Sequence, residues 1–559
     1  MGRLNQGIRY YLLVVAVGLL AASVAIAFYL LYLLLSSLSQ QTLQYSIVAL
    51  VPLAFLAIGL PYLLVKYFAK TKTTGSGTHT VLESYHLTNG ELPLKDTIVK
   101  PIAAMLTIGL GGSAGPEGPS LFAGGGIASA LSKYFKIKAE LHKKLFLAGA
   151  AAALAATFRT PLTAILFALE IPYKNDLDRE NFIEAIIASV PAYLLSVAVL
   201  GSEPFFGIVG NIQLTLYEIG LSLLLGLICG LYAVFFTKTF SWTNKLGFEI
   251  KKKAGAATTI TIAALVLIFS GLISIYTIGV GLNFVKAIIQ GAAFSILTLT
   301  LIVLLKTFAT ATTLNFGGSG GLFFPTIVIG AGIGCIFSTS LNVSVNFAVM
   351  FVAVGMAALL AGTHKVLLTP IAFVIETLGG VFAIPALLAS GISYLVSGNN
   401  SFYSLQPRTR LKTEELALER FYLEAKRRIP EKLDKITASE IMTRNPVTIH
   451  QGATVEEALK TFEGTKLRVI PIIDDDRHVL GVVNLEDLGY MDLQRRGMGL
   501  SETVIHKPTL IQKEVTLQET AKLMLEEQQD HIFIINEHQQ LEGVISGIDI
   551  IKKIVELLS

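Results

Sequence analysis

Residues 111–119 read GGSAGPEGP and residues 317–325 read GGSGGLFFP, two stretches 206 residues apart. The same register holds beyond them without a gap. It pairs Gly124 with Gly330, Gly126 with Gly332, Leu154 with Leu360 and Arg159 with Lys365. It also pairs Thr163 with Thr369, Phe167 with Phe373 and Glu170 with Glu376. Helix-breaking Gly and Pro repeated inside lipid-length apolar segments mark membrane proteins built from two like halves with a site between them. The offset alone does not say whether the halves run parallel or inverted.

Composition agrees with a membrane body. Only 15% of residues are charged and 53% are hydrophobic. Long apolar runs fill residues 11–36, 46–69, 143–171, 257–280 and 283–307, and a bilayer core needs roughly 20 apolar residues as a helix. The first run is too long for a signal-peptide core and is expected to stay as a helix. Arg3 and Arg9 precede it, which favours a cytoplasmic N-terminus. MGRLNQ lacks the Ser or Thr of a myristoylation signal. A net charge of +4 is no nucleic-acid footprint. Cys229 and Cys335 lie in apolar segments and read as buried packing, not as a disulfide.

From about residue 411 the chain turns rich in Glu, Lys, Gln and Asp and reads as a soluble tail. Residues 404–436 are charged and periodic and are predicted to form a linker helix. A second repeat follows, at an offset of 62 residues: Pro446 with Pro508, Thr454 with Thr516, Glu457 with Glu519, Gly481 with Gly543, Asp487 with Asp549. Each unit reads strand, helix, β-rich strand (VIPIID; IFIIN), turn, then GVVNLED or GVISGID entering a helix. This pattern resembles a tandem CBS pair, with units at 437–495 and 502–559. The resemblance implies an adenine-nucleotide site (ATP, ADP or AMP), with Ser546 and Asp549 on the ribose and Thr448 on the opening strand. The competing reading is that these residues cap the next helix.

Three short Gly-flanked segments stand where apolar helices begin: GSGTH (Gly75 to His79), GPEGP (Gly115 to Pro119) and GGLFFP (Gly320 to Pro325). Glycine lets the backbone bend and approach a ligand closely. A helix N-terminus offers unpaired N–H groups and partial positive charge, so it attracts an anion. Several such termini converging at mid-membrane bind an anion without any Lys or Arg, and so without holding it too tightly. Glu117 sits between two prolines and two glycines in this setting. An acid at membrane depth is a functional residue by default. Its carboxylate is able to occupy the anion's own seat, and protonation to release it. Taken alone, it also suits simple complementation of the helix dipole.

The order GSGxx, GxEGP, GGxFxP and then a Tyr after the last membrane helix resembles the CLC chloride channel and transporter family, over about residues 1–410. The trailing CBS pair is common in that family. The resemblance implies an all-α polytopic membrane domain of inverted repeats with re-entrant helices (residues 1–403) and a cytoplasmic α/β CBS tandem. It implies a homodimer with one anion pathway per subunit, in a cell membrane, carrying chloride as substrate with no required cofactor. Carried over, Ser76 and Tyr403 hold the central anion, and Glu117 gates. The backbone amides of Gly118, Leu322, Phe323 and Phe324 complete the anion shell.

Two departures stand out. Thr78-His79 replaces the Ile-Pro that often follows GSG, which bears on anion selectivity; His79 is titratable, but nothing in the sequence gives it a partner. In FALEI, Glu170 is followed by Ile171 where family exchangers commonly carry a second acid as the inner proton station. Proton-coupled chloride antiport remains the favoured expectation, with a passive gated channel as the alternative. Glu170 and Glu376 hold equivalent places in the two repeats, which suits a structural pairing better than proton transfer. Other classes fit poorly. A divalent-cation carrier needs several pore-facing acids or carbonyls, and an intramembrane metalloprotease needs H-E-x-x-H, a string absent here. The chain is therefore expected not to be an enzyme.

Overall fold

The computed structural model describes all residues except 1, 203–204, 208–213, 344, 410–412, 466, 486–487, 489–498, 501–505, 528 and 559. The chain divides into two units, Met1–Arg410 and Leu411–Ser559.

The first half of the membrane unit carries α1 (Gly2–Tyr45), α2 (Leu50–Phe68), a short strand β1 (Gly75–Ser76), α3 (Gly77–Leu87), α4 (Leu94–Gly109), α5 (Glu117–Tyr134), α6 (Ala139–Phe158), α7 (Pro161–Glu170) and α8 (Phe182–Leu200). The second half repeats the series: α9 (Leu216–Ala254), α10 (Ala256–Ile273), α11 (Leu282–Ile289), α12 (Ile296–Asn315), β2 (Ser319–Gly320), α13 (Phe323–Ser340), α14 (Val345–His364), α15 (Leu368–Leu378) and α16 (Ala383–Val396). Eight of the described helices are long and apolar enough to cross a membrane, while α7 and α15 are too short to do so.

The repeat is visible in packing. A Cβ on Gly124 of α5 would stand 2.1 Å from the Gly149 carbonyl of α6. A Cβ on Gly330 of α13 would stand 2.4 Å from the Gly355 carbonyl of α14. Both helix pairs therefore close backbone to backbone, the usual way membrane helices approach when no solvent drives them together. Each pair also ends alike. Arg159 and Lys365 follow α6 and α14 in the left-handed conformation, at φ +53° and +59°.

The halves are inverted, and one reciprocal contact makes this plain. Glu170 ends α7 and accepts hydrogen bonds from the Leu367, Leu368 and Thr369 N–H groups at the start of α15 (3.2, 2.8 and 2.8 Å). Glu376, near the end of α15, accepts from the Leu162 and Thr163 N–H groups at the start of α7 (2.9 and 2.8 Å). Each short helix caps the other, so they lie antiparallel about a local twofold axis. Each carboxylate also satisfies orphan amide donors that would otherwise be left without acceptors at membrane depth.

In the second unit, α17 (Thr413–Arg428), α18 (Pro430–Leu433) and α19 (Ala438–Ile441) precede two β-rich repeats. The first repeat contains β3 (Thr443–Arg444), β4 (Ile449–His450), α20 (Val455–Thr465), β5 (Val469–Ile473) and β6 (Val479–Asn484). The second contains β7 (Leu510–Gln512), α21 (Leu517–Glu527), β8 (His531–Ile535), β9 (Leu541–Ser546) and α22 (Gly547–Leu558). Both repeats place one parallel and one antiparallel neighbour on their central strand, with matching irregularities at Ile472/Ile473 and Ile534/Ile535. Strand β3 crosses to pair with β9, tying the repeats together.

The charged stretch 404–436 does not stand as a free linker. Residues 407–408 bond back to the membrane unit, where the Pro407 and Arg408 carbonyls accept from Lys174 and Asn175 N–H (2.9 and 2.6 Å). Leu418, Tyr422, Ala425 and Leu433 are buried with Leu517, Ala521, Ile550 and Ile554 in the core of the second unit. Their helical spacing forms an apolar stripe that must be covered.

Candidate functional site

Three helices, α3, α5 and α13, begin with no side-chain cap from their own N-cap residues. Two backbone ties bring these starts together. Strand β1 pairs in parallel with β2, setting Ser76 opposite Gly320, and the Gly115 N–H donates to the Gly321 carbonyl at 3.0 Å. The approach is close: a Cβ on Gly77 would lie 2.6 Å from the Gly118 carbonyl, and one on Gly118 would lie 3.1 Å from the Thr78 amide nitrogen. Each terminus carries about half an elementary charge, so the three together more than offset one monovalent anion.

Glu117 supplies that anion from within the chain. It is fully buried, and its Oε1 accepts the Phe323 N–H at 2.5 Å. The Phe324 N–H and its own N–H face the same carboxylate. Glu117 and Phe323 are equivalents under the 206-residue repeat, so the carboxylate of one half sits on the helix terminus of the other. The slot demands glycine on both sides. A Cβ on Gly115 would stand 2.1 Å from Oε2, and one on Gly321 would stand 2.0 Å from Oε1.

The other predicted anion contacts gather around this point. Leu322, Phe323 and Phe324 are fully buried at the start of α13, and Tyr403 is 1% exposed. Tyr403 lies close to Thr78 and within the field of Glu117. Four buried polar atoms here have no hydrogen-bond partner among the described residues: Ser76 Oγ, Thr78 Oγ1, Glu117 Oε2 and Tyr403 OH. Buried polar groups are nearly always paired. Three hydroxyls beside the helix-start N–H groups on Glu117 give this point donors that suit an anion.

Tyr403 is held by contacts that sequence reasoning missed. Its N–H donates to Ser401 Oγ (3.1 Å), whose hydroxyl donates to Gln406 Oε1 (2.6 Å). The Gln406 amide in turn donates to the Ile171 carbonyl (2.7 Å) and the His364 carbonyl (3.0 Å). The His79 ring packs 4.8 Å from the Tyr403 ring and the His364 ring 5.6 Å from it. His79 thus has partners after all, since its Nε2 also lies 2.9 Å from the Phe402 carbonyl. A histidine inside the apolar run before Lys365 was the available signal for His364.

In the second unit, the Ser546 hydroxyl and N–H both donate to Asp549 Oδ2 (2.6 and 2.9 Å), and the Asp549 N–H lies 3.4 Å from Ser546 Oγ. This is a capping box at the start of α22. Thr448 lies half-buried just before β4. Asp487, the first repeat's counterpart of Asp549, lies outside the described residues.

An inverted-repeat membrane fold with three helix starts closing on a buried carboxylate suits a membrane protein that carries anions. The voltage gated chloride channel profile matches residues 60–398, and the CBS domain profile matches 438–488 and 501–556. The chain belongs to the CLC chloride channel and transporter family and carries a CBS pair. It is 28% identical to the chloride channel protein CLC-f of Arabidopsis thaliana over 443 residues, covering 70% of this chain and 56% of that one. It is also 28% identical to the H(+)/Cl(−) exchange transporter ClcA of Vibrio cholerae over 384 residues, covering 65% of this chain and 80% of that one. The crystal structure of a eukaryotic CLC transporter superposes with TM-score 0.59 at 17% identity, over 98% of each chain, which shows the shared fold.

Proposed function

We propose that this protein exchanges chloride-like anions for protons across a membrane, with Glu117 as the gate. The observation that carries the reading is the Glu117 carboxylate seated on the Phe323 N–H at the crossing of the two repeats. A chloride ion and a carboxylate have the same charge and want the same donors. When Glu117 binds a proton it loses its claim on those N–H groups, and an anion takes the seat. Ser76 and Tyr403 then hold the next anion inward, with the backbone N–H groups of Gly118, Leu322, Phe323 and Phe324 around the pair. One side chain thus alternates between proton and anion.

A passive gated channel is the second reading. Ile171 favours it, since that position carries no titratable group and Glu170 is spent on capping α15. The test is chloride flux from proteoliposomes with internal pH recorded. Protons driven uphill by a chloride gradient support exchange. Chloride flux with no coupled proton movement supports the channel, and the absence of chloride flux overturns both.

The working assembly in this reading is a homodimer with one pathway per subunit, in the cell membrane, with the CBS units at 437–495 and 502–559 in the cytoplasm. Adenine nucleotide at Thr448, Ser546 and Asp549 would bias the gate. Because Ser546 and Asp549 already bond each other, a ribose must displace part of a capping box worth about 1 kcal/mol. Micromolar or weaker ATP binding by the full chain in calorimetry, lost in Asp549→Ala, is the expected result. Binding that is absent from wild type, or unchanged in the variant, removes this site.

A further inference from the structure

Two imidazoles flank Tyr403, and the contacts around them fix their tautomers. His364, at the end of α14, is fully buried. Its Nδ1 lies 2.9 Å from Thr363 Oγ1, and that hydroxyl's one proton is directed to the Leu359 carbonyl at 2.8 Å. Thr363 therefore accepts, Nδ1 carries the ring proton, and Nε2 is left as a bare lone pair. Nε2 has no partner among the described residues. His79, on α3, is arranged the other way round. Its Nε2 donates to the Phe402 carbonyl at 2.9 Å, leaving Nδ1 bare, and Nδ1 likewise lacks a partner. Each histidine is thus locked with one basic nitrogen unengaged.

Among the described residues, aromatic rings pack on the His364 ring. Phe167 of α7 and Phe323 of α13 pack on the His364 ring at 6.1 and 6.2 Å, and Phe402 packs on it at 5.3 Å. The neighbouring charged groups are engaged elsewhere. The Glu170 carboxylate holds the α15 N–H groups and the Thr369 hydroxyl. Lys365 Nζ donates to the Tyr394 carbonyl and Ser397 Oγ (2.9 and 2.7 Å). Glu117 lies beyond Phe323, on that residue's own N–H. The Tyr403 ring packs beside both imidazoles, with its OH near Thr78. Position 171 gives only a backbone carbonyl to this region, which accepts the Gln406 side-chain N–H.

We infer that His364, with His79 at its solvent side, is the inner proton station of this exchanger, standing in for the carboxylate absent at Ile171. His79 is part-buried with its Nδ1 shielded from solvent, and it relays a proton inward from the inner face. His364 takes it at Nε2, becoming imidazolium, and passes it toward the Glu117 carboxylate. It then returns to the neutral tautomer held by Thr363. One proton enters and one leaves, and no bond other than N–H and O–H changes. The inference rests on the exchange reading above.

The test is chloride and proton flux in proteoliposomes for wild type, His364→Leu, His364→Gln and the double variant His364→Leu/Ile171→Glu. Wild type is expected to couple. Both single variants should still pass chloride while coupled proton flux falls about 100-fold, and Ile171→Glu should restore it. Gln keeps a donor for Thr363 but has no proton to relay, so it stands in if Leu fails to fold. Coupled proton flux at the wild-type rate in either single variant overturns the His364 assignment and leaves exchange intact. A wild-type protein that moves chloride without protons overturns the exchange reading itself, and the assignment with it.

Discussion

Glu117→Gln is expected to abolish coupled proton movement while chloride still crosses. The glutamine keeps the length and shape of the gate, and its Oε1 remains an acceptor for the Phe323 N–H. Two things change. No proton can be picked up or released, so proton flux falls by about 100-fold or more. The seat is also held less firmly, because a hydrogen bond to a neutral acceptor is worth about 1 kcal/mol less than one to a carboxylate, roughly fivefold in anion occupancy. Chloride flux in the variant should therefore lose its dependence on pH and rise at neutral pH. Gly321→Ala approaches the same state by sterics alone, since its Cβ would stand 2.0 Å from Oε1 and must expel the carboxylate. Flux with internal pH recording checks both. Normal proton coupling in Glu117→Gln would show that the carboxylate on the Phe323 N–H is not the gate.

Much of this site was legible in the chain because its glycines are required by backbone contact. Gly124 against Gly149, and Gly330 against Gly355, leave no room for a Cβ, so the repeat is written in residues that packing cannot vary. Gly115 and Gly321 are legible for a related reason: a Cβ on either would meet the Glu117 carboxylate. The contacts around Tyr403 were not legible. His79 and Phe402 are 323 residues apart in sequence, and no periodicity or spacing joins them. Gln406 reads as an ordinary polar residue after a helix, and only the fold shows its amide spanning the Ile171 and His364 carbonyls. The stretch 404–436 hides its packing for a different reason. Its charges are conspicuous, and they mask the stripe of Leu418, Tyr422 and Ala425 that joins the second unit's core.

Glu170→Ala is expected to damage the fold without selectively uncoupling protons from chloride. The carboxylate accepts from three backbone N–H groups and from the Thr369 hydroxyl at 2.6 Å. Removing it strands these donors at the start of α15, in a region where water cannot readily replace the acceptor. Loss of a helix cap together with buried unpaired donors costs about 2–3 kcal/mol. A lower unfolding temperature in detergent should follow, with chloride and proton flux falling in proportion to the folded protein that remains. Glu376→Ala removes the twofold-related cap on Leu162 and Thr163. That carboxylate is less buried and holds one N–H fewer, so the loss should be smaller. A structural clamp and a proton station differ in which ratio moves. If Glu170→Ala kept its unfolding temperature and its chloride flux but moved no protons, Glu170 would be the inner station and the reciprocal capping a by-product of its position. If stability falls and the proton-to-chloride ratio holds, the carboxylate in FALEI is a strut between inverted halves, and coupling must run through other side chains on the inner face of Phe323.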